Sequence, residues 1–212
     1  MKKIIIAFLF FTLCGYSQKK YVFDYYAIYK GHNGFRNTQY KLITFGNSTD
    51  HNYIFQIATD NNDIVTYIEL RFKDEKKRIE YEFTPFPFKD FNSDIHLKNP
   101  KEIEIYNNDI YCKKTFEKNE IINQIDSSIT TTFLIYKNSK KKKIERKIEV
   151  ISFNSNKVEN QNFYFVHSNH FLNCNKISFL PNAIKSYKLI DGNKTLESME
   201  LVELNVTNFS IN

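Results

Sequence analysis

"IVTYIELRFKDEKKRIEYEF" occupies residues 64–83, and its alternation decides the fold class. Ile64, Thr66, Ile68, Leu70 and Phe72 fall on one face of an extended chain. The polar run Asp74, Glu75, Lys76 and Lys77 fits a turn. Ile79, Tyr81 and Phe83 then alternate with Arg78, Glu80 and Glu82. Successive side chains of a strand point to opposite faces, so a period of two marks strands and not a helix. The second strand has one apolar and one charged face, as a sheet wet on one side requires.

The same period extends outward in both directions. Upstream, Tyr21, Phe23, Tyr25, Ala27 and Tyr29 share one face, with Val22, Asp24, Tyr26 and Ile28 on the other. Tyr53, Phe55 and Ile57 repeat the pattern. Downstream come Ile103 with Ile105, then Ile129, Thr131, Phe133 and Ile135, then Ile148 and Val150. Phe163 and Phe165 follow. Tyr187 and Leu189 lead into Asp191-Gly192, a two-residue hairpin signal. Met199, Leu201, Phe209 and Ile211 close the chain. Residues 116–125 are the exception: Ile121, Ile122 and Ile125 fit one side of a short helix. The expectation is an all-β fold with at most one or two short helices: a single curved antiparallel sheet or half-open barrel of about ten strands. There is no Pro/Gly-rich linker, so residues 18–212 form one β-rich domain.

The first seventeen residues read as an export signal. Lys2 and Lys3 precede an apolar run over 4–13, interrupted only by Thr12. As a helix this run is about 15 Å long, half of what crosses a bilayer. It suits the core of a signal peptide and not a permanent anchor. Gly15 and Ser17 provide the small residues of a cut after Ser17. A lipoprotein cut before Cys14 is the alternative, disfavoured by bulky Leu13 at the scissile bond. The expected location is periplasmic, outer-membrane-associated or secreted. No later stretch is apolar enough for a transmembrane segment.

Composition fits this class. The net charge is +6, and removal of Lys2 and Lys3 lowers it by two. Aromatic residues make up 16 %, with 20 Phe, 14 Tyr and no Trp, so bulky rings must build the core. Cys14 leaves with the signal, so Cys112 and Cys174 are the candidate disulfide in an oxidising compartment. Two separate buried thiols are the alternative.

Motifs that carry chemistry are scarce. There is no Gly-rich phosphate loop, no Gly-x-Ser-x-Gly elbow and no His-Glu-x-x-His helix. His167 and His170 have a metal-like spacing with Cys174 nearby, but the bland reading is two surface histidines in a turn. Lysines 140–143 read as a solvated hairpin tip that also discourages edge pairing, and not as a nucleic-acid site. The stretch "FTPFPF" at 83–88 places three phenylalanines around two prolines, forming an edge or lip over the core or beside an apolar pocket. The Asn-x-Ser/Thr sequons at Asn47, Asn193, Asn205 and Asn208 arise readily in an Asn-rich chain. No cofactor, metal or catalytic residue is assigned.

The signal ending in Ser17-Gln18, "YVFDYY" at 21–26 and "IKSYKLIDGNKTLESMELVELNVTNFSI" at 184–211 resemble small exported proteins of Bacteroidetes type. The resemblance implies a curved antiparallel sheet, distantly similar to LolA/LolB-type half-barrels, and suggests an apolar cavity. The expected function is therefore non-enzymatic: binding of a lipid or other apolar ligand at the cell envelope. The alternative is a structural module with a filled core and an envelope protein as partner. An enzyme using scattered carboxylates is a third reading.

Overall fold

A computed structural model describes residues 20–50, 52–72, 77–88, 97–104, 114–153 and 183–211. None of these residues is helical. They form β1 (Tyr21–Asn33), β2 (Thr38–Gly46), β3 (Tyr53–Thr59), β4 (Val65–Phe72), β5 (Lys77–Glu82) and β6 (Lys98–Glu104). The second half adds β7 (Phe116–Ile122), β8 (Ile129–Tyr136), β9 (Ile144–Phe153), β10 (Ala183–Asp191) and β11 (Lys194–Ile211). All pair antiparallel in one 11-stranded sheet of order β6-β5-β4-β3-β2-β1-β11-β10-β9-β8-β7. Two meanders thus flank a central pair made by the first and last strands. Edge strands β6 and β7 are not joined, so this is a single open sheet and not a closed barrel.

The hairpin at 64–83 pairs as its pattern requires. Leu70 sits opposite Ile79, and Glu69 opposite Glu80. One phase error appears at its start. Ala58 pairs with Tyr67 and Thr59 with Val65, so Thr66 is an extra residue on β4. This bulge turns Val65 into the core beside Ile68 and Leu70, and leaves Thr66 exposed. β1 also departs from strict alternation. Tyr25, Ala27 and Tyr29 enter one apolar cluster, whereas Phe23, Tyr26 and Ile28 join a second. A central strand buried on both faces has no polar side to keep the alternation clean.

The two clusters divide the sheet. The first contains Phe133, Ile148, Val150, Tyr187 and Met199 from β8–β11, with Tyr29 and Leu42. The second contains Ile43, Phe45, Phe55, Ile57, Ile68 and Leu70 from β2–β4. Phe209 of β11 reaches into it, its ring centroid 4.7 Å from Phe45, 5.7 Å from Phe55 and 5.8 Å from Phe23. β11 is 18 residues long, with register shifts against β1 and β10. Bulges of this kind bend a strand and increase its twist, which gives a wide sheet its curvature.

Residues 116–125 are not helical. Residues 116–122 form β7, and 123–128 lead to β8. Ile121, Ile122 and Ile125 are 70 %, 67 % and 95 % exposed, so their helix-like spacing reflects no buried stripe. The β10–β11 hairpin is present, with Asp191 paired to Lys194. Its loop residues are Gly192 and Asn193, one place further than expected. Gly192 takes φ +56°, a conformation glycine adopts without penalty. Lysines 140–143 lie in the β8–β9 turn and are exposed. Lys141 reaches Glu117 of β7 at 2.8 Å. The 83–88 stretch folds back over the second cluster. The Val65 N–H donates to the Phe86 carbonyl, and the Phe88 N–H to that of Asp63. Phe83, Phe86 and Phe88 pack on the cluster as partly buried rings.

Candidate functional site

Two polar constellations stand out. The first is a cleft of about 700 Å³ across the central strands. Its polar floor is two cross-strand rows. One runs Lys41 (β2), Lys30 (β1), Glu200 (β11), Ser186 (β10), Ile151 (β9). The next runs Gln39, His32, Ser198 and Lys188 over the same four central strands. Lys185 and the β3–β4 turn residues Asp60 and Asn61 complete the rim. Four lysines thus face two carboxylates, Asp60 and Glu200. Lys41 is engaged by Asp63 at 2.5 Å, and Lys185 is 3.7 Å from Asp126. Lys30 and Lys188 have no ion-pair partner among the described residues. Glu149 stands opposite Lys188 in register but is held by Lys147 at 2.5 Å.

Tyr40 alternates with Gln39 and Lys41 on β2, so its ring points to the other face of the sheet and packs on the first cluster. It lies opposite Gly31, and its ring occupies the space a side chain there would take. Burial raises its hydroxyl pKa above the ordinary value, with the Glu197 carboxylate adding to the effect. Tyr40 is thus a neutral donor, and its hydroxyl is 3.4 Å from Glu197 Oε1.

The second constellation is buried. Glu69 and Arg71 of β4 are only 1 % and 6 % exposed. Glu80 and Arg78 of β5 stand directly opposite them, like charge facing like charge. Such pairs repel. The arrangement holds because opposite charges meet along and between the strands. Arg71 Nε is 2.5 Å from Glu69, Arg78 Nη2 is 2.6 Å from Glu80, and Arg78 Nε lies 3.5 Å from Glu69. The Tyr67 hydroxyl donates to Glu69 at 2.5 Å and is also 3.0 Å from Glu80. Burial raises the Tyr67 pKa, and the Glu69 charge adds to it. The Arg71 N–H is not aligned for a hydrogen bond, so its contact with Glu69 is an ion pair alone. Gln56 extends the row by donating to Thr44 at 3.0 Å. Glu69 is engaged by the Tyr67 hydroxyl and by two guanidinium groups, which makes this a structural network.

The candidate disulfide residues Cys112 and Cys174 lie outside the described residues, as do Cys14, His167 and His170. Among the described residues no group of three His, Cys, Asp or Glu side chains is placed to hold a metal ion. Sequence reasoning singled out neither the cleft lysines nor the Glu69–Arg71 pair. Compared with family models and with curated proteins, the chain finds no match in either.

Proposed function

We propose that this chain is an exported, non-enzymatic binding protein of the cell envelope, and that its ligand is anionic and occupies the cleft over β2, β1, β11 and β10. The observation that carries this reading is the lining: four lysines against two carboxylates, with Lys30 and Lys188 uncommitted among the described residues. Lys30 and Lys188 are solvent-exposed, so both are accessible to a carboxylate or phosphate, which they bind with charge-assisted hydrogen bonds. His32, Gln39, Ser186 and Ser198 add neutral polar groups that can orient such a ligand. Many of the apolar side chains of the sheet are already spent in the two clusters. The apolar run at 4–13 supports export.

The test is thermal stability against inorganic phosphate, polygalacturonate, palmitate, and vesicles of phosphatidylglycerol or phosphatidylcholine. A ligand at a hundred times its Kd stabilises by about 2.7 kcal/mol. The expected result is stabilisation by at least one anionic probe, weakened by salt. Each of Lys30→Ala and Lys188→Ala should reduce affinity about tenfold. Stabilisation by palmitate or phosphatidylcholine that ignores both substitutions would replace the anionic reading with an apolar one. No response to any probe would leave the protein-partner reading in its place.

A further inference from the structure

We propose that β7 is a self-pairing edge: two copies of the chain join antiparallel through Phe116–Ile122 about a two-fold axis at Asn119, extending both sheets into one. This surface is separate from the cleft and does not depend on what the cleft binds.

The two edges of the sheet differ. β6 contains Pro100, which has no N–H to offer, and Asn99 takes φ +45°. Proline on an edge blocks the addition of another strand. β7 has no proline. Among the described residues it pairs with β8 alone, and residues 118–122 are exposed.

Main-chain direction selects the residues that can pair. The Tyr136 N–H donates to the Thr115 carbonyl, and the Asn123 N–H to that of Ser128. Hydrogen-bonded positions alternate in an antiparallel ladder. Odd-numbered residues from 115 to 123 therefore turn their main chain toward β8. Phe116, Lys118, Glu120 and Ile122 turn theirs toward the open edge.

Charge then selects the register. Pairing about Asn119 sets Lys118 opposite the second copy's Glu120, twice, and Phe116 opposite its Ile122, twice. All four are positions whose main-chain groups face outward, so each can exchange ladder hydrogen bonds. Asn119 meets its own copy at a non-hydrogen-bonded position. Sliding by two residues either way sets Lys118 against Lys118 or Glu120 against Glu120. Like charges directly opposite are destabilising, so both slides are disfavoured. Lys118 and Glu120 already contact each other within one chain at 2.8 Å, so the second copy completes a four-charge cluster. Ile122, 67 % exposed in the single chain, gains an apolar partner.

The experiment is sedimentation velocity of the exported chain over a concentration series, with circular dichroism as the check on folding. The expected result is a reversible dimer. Lys118→Glu and Glu120→Lys should each weaken association by at least about tenfold. The double exchange K118E/E120K restores the alternation with signs reversed and should restore the dimer. Asn119→Cys should give a covalent dimer under mild oxidation above the wild-type background, because it places two thiols across the axis. This variant keeps both charges, so it decides the matter even where a charge variant fails to fold. A chain that stays monomeric, with no cross-link above background, overturns the proposal. So does a dimer that ignores both charge reversals.

Discussion

The Tyr25 ring lies over Gly46, its partner across the β1–β2 ladder. A Cβ on Gly46 would meet the Tyr25 hydroxyl and ring atoms at 2.1–2.8 Å. Tyr25 is 3 % exposed, so it has nowhere to swing. Gly46→Ala should therefore destabilise by about 1–3 kcal/mol, as overpacking does, read as a shift in the urea midpoint. Gly31→Ala meets the Tyr40 ring in the same way, but Tyr40 is only partly buried and can turn outward. Its cost should be the smaller of the two, and equal costs would count against this account. The Glu69–Arg71 pair gives a second contrast. Removing one member of a buried pair strands the other, at about 3–5 kcal/mol, whereas replacing both with apolar residues is often near neutral. Glu69→Leu strands Arg71 and should fall in the first range, and adding Arg71→Met should recover much of the loss. A double substitution as damaging as the single one would mean that the pair does more than neutralise itself.

Strand position sets local stability. β1 from Tyr25 onward and residues 197–200 of β11 are paired on both sides, whereas β6 and β7 are paired on one. Amide exchange should be slowest in β1 from Tyr25, in residues 197–200 of β11 and in the adjoining parts of β2 and β10, and fastest in β6 and β7. Uniform protection across the sheet would contradict this. The same positions explain what the sequence revealed. The 64–83 hairpin was legible because β5 keeps one charged and one apolar face, the condition under which alternation survives. β2 has no such asymmetry: Leu42 enters the first cluster, and Ile43 and Phe45 enter the second. β7 failed for the opposite reason, since an exposed edge strand has no core to impose a period. The bulge at Thr66 was invisible because an extra residue is defined only against the partner strand. The cleft was illegible too. Lys30 and Lys188 stand on strands far apart in the chain, and only the β1–β11 pairing brings their rows together.

Placing the first and last strands side by side at the centre makes folding depend on the most distant contacts in the chain. Closing such contacts is slow. Residues 205–211 cover the β1 end and carry Phe209 into the second cluster. Their deletion should lower the urea midpoint without abolishing the cooperative transition, because among the described residues this segment pairs with β1 alone but carries Phe209 and Ile211 onto the second cluster. A second consequence of this packing is resistance to base up to a limit. Burial is the largest cause of the raised pKa values of Tyr25, Tyr29, Tyr40, Tyr67 and Tyr81, and it takes Tyr81 to about 12. A raised value means that the folded chain holds the phenolic proton more tightly than the unfolded chain does. That contribution to stability is intact below the ordinary tyrosine value near 10 and is lost as pH rises through the folded values. Absorbance at the tyrosinate band, followed with circular dichroism, should then report when these five rings ionise. A tyrosine open to solvent ionises near pH 10. The buried rings should ionise only above that, together with loss of the β signal. Full ionisation near pH 10 with an unchanged β signal would mean that these rings are open to solvent, which neither apolar cluster allows.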